Sequence, residues 1–221
     1  MIDSDLGNEN RNRKEYESMR LYVRYMVSLR CKLIVKDQLK KLNIKYSISV
    51  HGAINFLELV TDYRLNELGR NLKSHGLILL NEVESLLIDK IINTIIEVIH
   101  YSDELPKVNF EDIIALKIGN ENESILKIFS EVTGMSVLQF IVFQKIERAK
   151  EMLLYEDLSL PEISEKLNYK NQELFTTQFG KLTGLTPDYF RELKKQRESI
   201  DNQPDKNSIP DTSARPIRSK I

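Results

Sequence analysis

A single cysteine, Cys31, in a chain of 221 residues has no partner, so an internal disulfide framework and a four-cysteine zinc site are both excluded. No apolar run approaches the roughly 18 residues needed to cross a bilayer. The opening MIDSDLGNENRNRKE is polar and acidic where a secretory signal needs an apolar stretch. The sequence therefore predicts a cytoplasmic protein with no membrane partner. Catalytic apparatus is equally scarce: no phosphate-binding glycine loop, paired carboxylates or Cys/His constellation is present, so neither an enzyme nor a cofactor is expected. His75 and His100 fall near predicted helix ends, where capping is their ordinary use, and His51 reads as a solvated turn residue. Net positive charge is also missing, with 32 Lys and Arg against 33 Asp and Glu. A nucleic-acid partner is held largely by cations against phosphate, so binding one would require that charge to be segregated along the chain.

What the chain does have is 41% hydrophobic content, enough to bury a core and to build two modest domains. Residues 159–191, SLPEISEKLNYKNQELFTTQFGKLTGLTPDYFR, read as helix, turn, helix, turn and the start of a third helix. Ser159 and Glu162 have capping-box spacing, with Pro161 in the first turn. Asn168-Tyr169 makes the turn, because asparagine tolerates a left-handed backbone. Phe175, Phe179 and Leu182 give the second helix an inward stripe, which leaves Gln172, Glu173, Thr176 and Thr177 facing out. Thr183-Gly184 stops that helix, and Thr186-Pro187 caps a last one whose Tyr189 and Phe190 close the small core.

The segment FSEVTGMS, beginning at Phe129, repeats as FGKLTGLT fifty residues later, beginning at Phe179, so the module occurs twice. In the first copy Gly119 marks the turn and Ile125, Ile128 and Phe129 face inward. Between the copies, residues 136–155 form one amphipathic helix, capped by Ser136 and Gln139, with Phe140, Phe143, Ile146, Ala149 and Leu153 apolar. Residues 111–200 hold 12 basic and 15 acidic side chains. The available basic clusters are Lys145, Arg148 and Lys150 on the joining helix and Lys181, Arg191, Lys194, Lys195 and Arg197 near the end.

On these residues the segment 111–196 resembles the DNA-binding domain of the AraC/XylS family of transcription regulators. The likeness rests on Ala115 with Gly119, on Phe129 with the VTGMS that follows it, on RAKEMLL from Arg148, on ISEKLNY from Ile163, and on the closing FGKLTGLTPDYFR. Asn168 stands where the family's second turn has glycine, and Gly180 where lysine is usual. The resemblance implies double-stranded DNA as partner. The second reading helix then supplies Asn171, Gln172, Glu173, Thr176 and Thr177 to base edges, and Lys170 and Lys181 hold phosphate. Glu121 and Glu123, at the start of the first reading helix, would repel phosphate there, so that copy should contribute less.

Toward the N-terminus, residues 1–17 read as a flexible arm. Residues 18–81 then run strand, helix, strand, hairpin turn at His51-Gly52, strand over 53–59, helix and short strand. That βαββαβ order implies a ferredoxin-like domain. The fold class is therefore α+β, with a C-terminal all-α double helix-turn-helix domain at 108–197. Residues 18–81 also resemble the heavy-metal-associated domain, whose loop carries M-x-C-x-x-C. Here the loop is Met26-Val27-Ser28-Leu29-Arg30-Cys31, and a hydroxyl replaces the first thiolate. A soft-metal site is not expected, with Cys31 its one weak candidate against a packing role.

Residues 82–107 read as a connecting helix and linker, and 198–221, with three of the six prolines, as a disordered tail. The apolar stripe at 82–101 is wide enough either to pack on both domains or to seam a homodimer, which the N-terminal domain could also mediate. The expected function is a DNA-binding transcription regulator whose N-terminal domain senses an unidentified effector or dimerises. The competing reading is a protein-interaction or metal-handling module on a degenerate DNA-binding scaffold, which the acidic balance favours.

Overall fold

The computed structural model describes residues 19–49, 51–102, 105, 110–118 and 122–201. The expected arm and most of the expected linker and tail lie outside the described residues. The chain forms two compact units, Met1–Arg148 and Ala149–Ile221.

In the first unit, β1 (Arg20–Leu21) and β2 (Val23–Arg24) are two pieces of one extended stretch interrupted at Tyr22. The Tyr22 N–H donates to Ser85 Oγ at 3.2 Å, so it is lost to any strand ladder, while the Tyr22 carbonyl accepts from Leu80 N–H at 2.9 Å. Helix α1 (Leu29–Lys41) starts where Ser28 accepts from the Cys31 N–H. β3 (Tyr46–Ile48) and β4 (Ile54–Phe56) pair antiparallel with Ser47 opposite Asn55. Gly52 turns the chain between them at φ 86°, a conformation that favours glycine. Thr61 caps α2 (Asp62–Lys73), which leads to β5 (Ile78–Leu79). β1 pairs with β4 and β2 with β5, both antiparallel.

β4 is shorter than the strand expected over 53–59. β4 stops at Phe56, and Leu57 and Leu59 are exposed. Just beyond it, Glu58 pairs with Arg64 at 3.2 Å, and Arg64 also donates to the carbonyls of Leu42 and Asn43, which ties the chain to α2 rather than to a longer ladder. Val35 and Leu39 of α1 and Leu68 and Leu72 of α2 pack on Leu21, Val23, Ile54 and Phe56. Each such side chain contributes about 1.5–3 kcal/mol by burial.

An Asn81/Glu84 capping box opens α3 (Glu82–His100). Ile88, Ile91, Ile92, Ile95 and Ile99 are buried, and the helix lies against β1 and against α4 (Phe110–Ile118) and α5 (Asn122–Thr133). The width of its apolar stripe is thus used within the unit, with Val83 and Leu86 left exposed. Polar anchors bind the first strand to it: the Tyr22 hydroxyl donates to Asp89 at 2.7 Å, Arg20 meets Asp89 at 3.1 Å, and Arg24 meets Glu84 at 2.9 Å. Burial, then the Asp89 carboxylate, push the Tyr22 hydroxyl far above its ordinary pKa.

The boundary between the units falls inside α6 (Val137–Tyr155). The second unit continues with α7 (Leu160–Lys166), α8 (Gln172–Thr183) and α9 (Pro187–Asp201). Its core is an aromatic chain in which Tyr169, Phe175, Phe179 and Phe190 follow one another at ring-centroid distances of 5.5, 5.9 and 5.5 Å. Among the described residues no single helix is long and apolar enough to cross a membrane.

Candidate nucleic-acid interface

Local capping chemistry fixes the second helix-turn-helix. Glu162 N–H donates to Ser159 Oγ at 3.4 Å, and Ser159 N–H returns a bond to the Glu162 carboxylate at 2.7 Å. Bonds from the Ser159 hydroxyl and then its N–H hold the Glu162 carboxyl below the ordinary carboxylate range. α7 ends at Lys166 with Leu167 as its C-cap, and Asn168 takes φ 51°, the left-handed backbone expected of it. Asn171 then caps α8, its side-chain oxygen accepting from Leu174 N–H at 2.8 Å. That bond holds the side chain at the helix start and uses one lone pair of its oxygen, which leaves the Asn171 N–H donors for a ligand.

α8 buries Phe175 and Phe179 and turns Gln172, Glu173 and Thr177 to solvent, with Thr176 partly exposed. Lys170 and Lys181 are exposed at its two ends. Six of the seven expected contact residues are thus brought onto one accessible helix and its approach, and Asn171 is partly committed to the cap. Two expectations for the core need correction. Leu182 is 50% exposed rather than inward, because the helices that pack on α8 within the unit, α7 and α9, leave that end open. Tyr189 is exposed as well, and Phe190 alone closes on Phe179.

The expected basic clusters are largely occupied by the protein itself. Arg191 donates to the Leu158 carbonyl at 2.7 Å, Lys194 pairs with Asp157 at 3.1 Å, and Lys195 with Glu192 at 3.1 Å. Lys145 is half-buried with its ammonium 5.8 Å from the Phe110 ring, and burial lowers its pKa. Arg148 and Lys150 are also engaged within the protein. Lys170 and Lys181 form no ion pair among the described residues, so the charge that α8 can offer to phosphate sits at its two ends.

The first helix-turn-helix repeats the local chemistry in different surroundings. Thr133 Oγ1 donates to the Phe129 carbonyl at 2.8 Å and accepts from Met135 N–H at 3.3 Å. Thr183 Oγ1 does the same with Phe179 at 2.8 Å and Leu185 at 3.0 Å. Gly134 and Gly184 then take φ 75° and 73°. α5, however, is fastened to the strand end. Tyr25 N–H donates to the Glu131 carbonyl at 2.7 Å, and Arg24 bridges Glu131 at 3.4 Å and Glu84 at 2.9 Å. Sequence reasoning missed Arg24, Asp89 and Glu131, because their partners lie far along the chain and no local spacing marks them. Gly119 and Glu121 lie outside the described residues, as does the side chain of Glu123.

Two histidine expectations also change. His51 is half-buried with its ring edge 5.5 Å, centroid to centroid, from Phe140. His100, in the last turn of α3, shares a 3.0 Å hydrogen bond with the buried Gln144, a partner far along the chain. Cys31 packs on the core and accepts a 3.2 Å bond at its sulfur from the Ser28 hydroxyl, which also caps α1. Among the described residues no three His, Cys, Asp or Glu side chains cluster as metal ligands.

Comparison with known proteins bears on this geometry. The family described as helix-turn-helix domain matches residues 114–193. The chain is 31% identical over 103 residues to the uncharacterized HTH-type transcriptional regulator YtdP of Bacillus subtilis, covering 47% of this chain and 13% of that protein. It is 33% identical over 100 residues to the F1 operon positive regulatory protein of Yersinia pestis, covering 45% of this chain and 33% of that one. The chain therefore spans a third or less of the length of these two relatives. Among solved structures, an AraC-type DNA-binding domain regulator from Chromobacterium violaceum superposes with a TM-score of 0.45 at 17% identity, over 52% of this chain and 98% of that one. Residues 114–193 match the helix-turn-helix domain family, and the two relatives named above are a transcriptional regulator and an operon regulatory protein.

Proposed function

We propose that the chain is a sequence-specific transcription regulator that binds double-stranded DNA in the cytoplasm, mainly through α8. The observation that carries this reading is the free polar face of α8, with Gln172, Glu173, Thr176 and Thr177 bracketed by Lys170 and Lys181. Glutamine bonds an adenine edge in pairs, glutamate accepts from cytosine, and each good contact discriminates by about 1–3 kcal/mol. The donors left on Asn171 add a smaller contact at the helix start.

The N-terminal part is assigned the sensing or dimerising role. Pairing of the first stretch with β4 through β1 and with β5 through β2 supports a ferredoxin-like arrangement of residues 18–81. Its fastening to α5 through Arg24 and Tyr25 supports a route by which a change there reaches the first helix-turn-helix. The test is affinity of the full chain for a random duplex pool across a salt series. A fall of log affinity with log salt, at about 0.9 per phosphate contacted, supports the reading. A flat response sinks it.

A further inference from the structure

An open groove of about 460 Å³ lies in the first unit between α2 and the junction of β5 with α3. Its floor is apolar, from Leu65, Leu79 and Leu80, and Arg70 and Lys73 stand on the α2 rim. The volume is of the size that holds small molecules. Three residues apart, Arg70 and Lys73 share one helix face, and neither forms an ion pair among the described residues. Gly69 stands on the same wall. A glycine inside a helix lowers stability relative to alanine, and a Cβ added there meets nothing within 4 Å, so no neighbouring group requires its absence. The open space at Gly69 widens the groove along the α2 wall.

We propose that this groove binds a small apolar monocarboxylate, with its body on the leucine floor and its carboxylate between Arg70 and Lys73. Glu82 on the opposite rim disfavours a second negative group and offers a partner to an amine. The site deepens the sensing role proposed above and rests on it. β5, which forms one side of the groove, pairs with β2, and Arg24 of β2 holds both α3 and α5.

The test uses the full isotope-labelled chain, titrated with 3-phenylpropionate, octanoate or phenylalanine and, as the uncharged control, 3-phenylpropanol. The expected result is saturable amide shifts within 65–73 and 78–82 for at least one of the carboxylates, with the alcohol at least tenfold weaker. A preference for octanoate assigns the site to simple acids, and a preference for phenylalanine assigns Glu82 to the amine. Gly69→Leu, whose Cβ has open space, extends an apolar side chain into the groove and should abolish the shifts, with circular dichroism unchanged. Arg70→Gln with Lys73→Gln, two exposed changes, should weaken the carboxylate at least tenfold and serves if Gly69→Leu does not fold. Shifts dispersed elsewhere, an equal response to the alcohol, no response to any carboxylate, or indifference to these variants would overturn the proposal. Binding to the random DNA pool is measured on the same protein. Loss of the groove with DNA binding intact rejects the groove alone, and intact shifts without DNA binding reject the regulatory reading alone.

Discussion

Val132 and Leu182 occupy the same position in the two helix-turn-helix repeats, yet Val132 is 5% exposed and Leu182 is 50% exposed. Their neighbours in sequence behave alike, since Thr133 and Thr183 make matching bonds and Gly134 and Gly184 share a left-handed backbone. The following position diverges again: a Cβ on Gly134 would come 3.0 Å from Val27, whereas one on Gly184 meets nothing. Helix ends are thus set by local chemistry that a repeat carries with it. Exposure of the helix faces depends on what else the unit contains. The first copy is packed by β2 and α3, and the second keeps an accessible α8.

That contrast can be broken most strongly at the paired aliphatic positions. Val132→Ser should cost about 2 kcal/mol or more of first-unit stability in a denaturant titration, since it both empties a buried site and places a hydroxyl there. Leu182→Ser should stay within about 0.5–1 kcal/mol, as half-exposed substitutions do. Equal costs would erase the distinction between the repeats.

Next in size are the two lysines. Lys170→Gln with Lys181→Gln should reduce the salt slope of DNA binding by about 1.8 and lower affinity about tenfold at low salt, whatever the DNA sequence. An unchanged slope would remove α8 from the phosphate backbone.

Arg24→Ala should cost about 1 kcal/mol, because its two ion pairs are only partly buried, with side-chain exposures of 22% for Arg24, 29% for Glu84 and 17% for Glu131. Combined with Glu131→Gln the losses should be less than additive if the bridge holds α5 as described.

The smallest effect concerns His51. Burial, then nearby Arg20, lower its pKa below the ordinary value, while Asp89 opposes them. The unfolded chain therefore binds the proton more readily, so the stability tied to neutral His51 is present above pH about 6.5 and declines as pH falls below it. His51→Gln should flatten that part of the first unit's pH–stability curve.

Caps, turns and the repeat were legible in the sequence because each rests on chemistry within four residues. Ser159 with Glu162, Asn168 and Gly184 all stand where the spacing puts them. What escaped depended on distant partners. Nothing beside Arg24 in the sequence reveals that its guanidinium reaches Glu84 and Glu131, and nothing near His51 points to Phe140. The face of α8 was legible except at Leu182, where helical period favours burial and the unit provides no cover.

Selection of bound sequences from a random duplex pool, run in parallel with the natural chain and with Gln172→Ala/Thr176→Ala, tests most directly whether α8 reads DNA. The account predicts a defined motif for the natural chain and, for the variant, loss of preference at the positions those side chains contact, with residual non-specific binding held by Lys170 and Lys181. The same motif recovered at the same affinity from both proteins would contradict it.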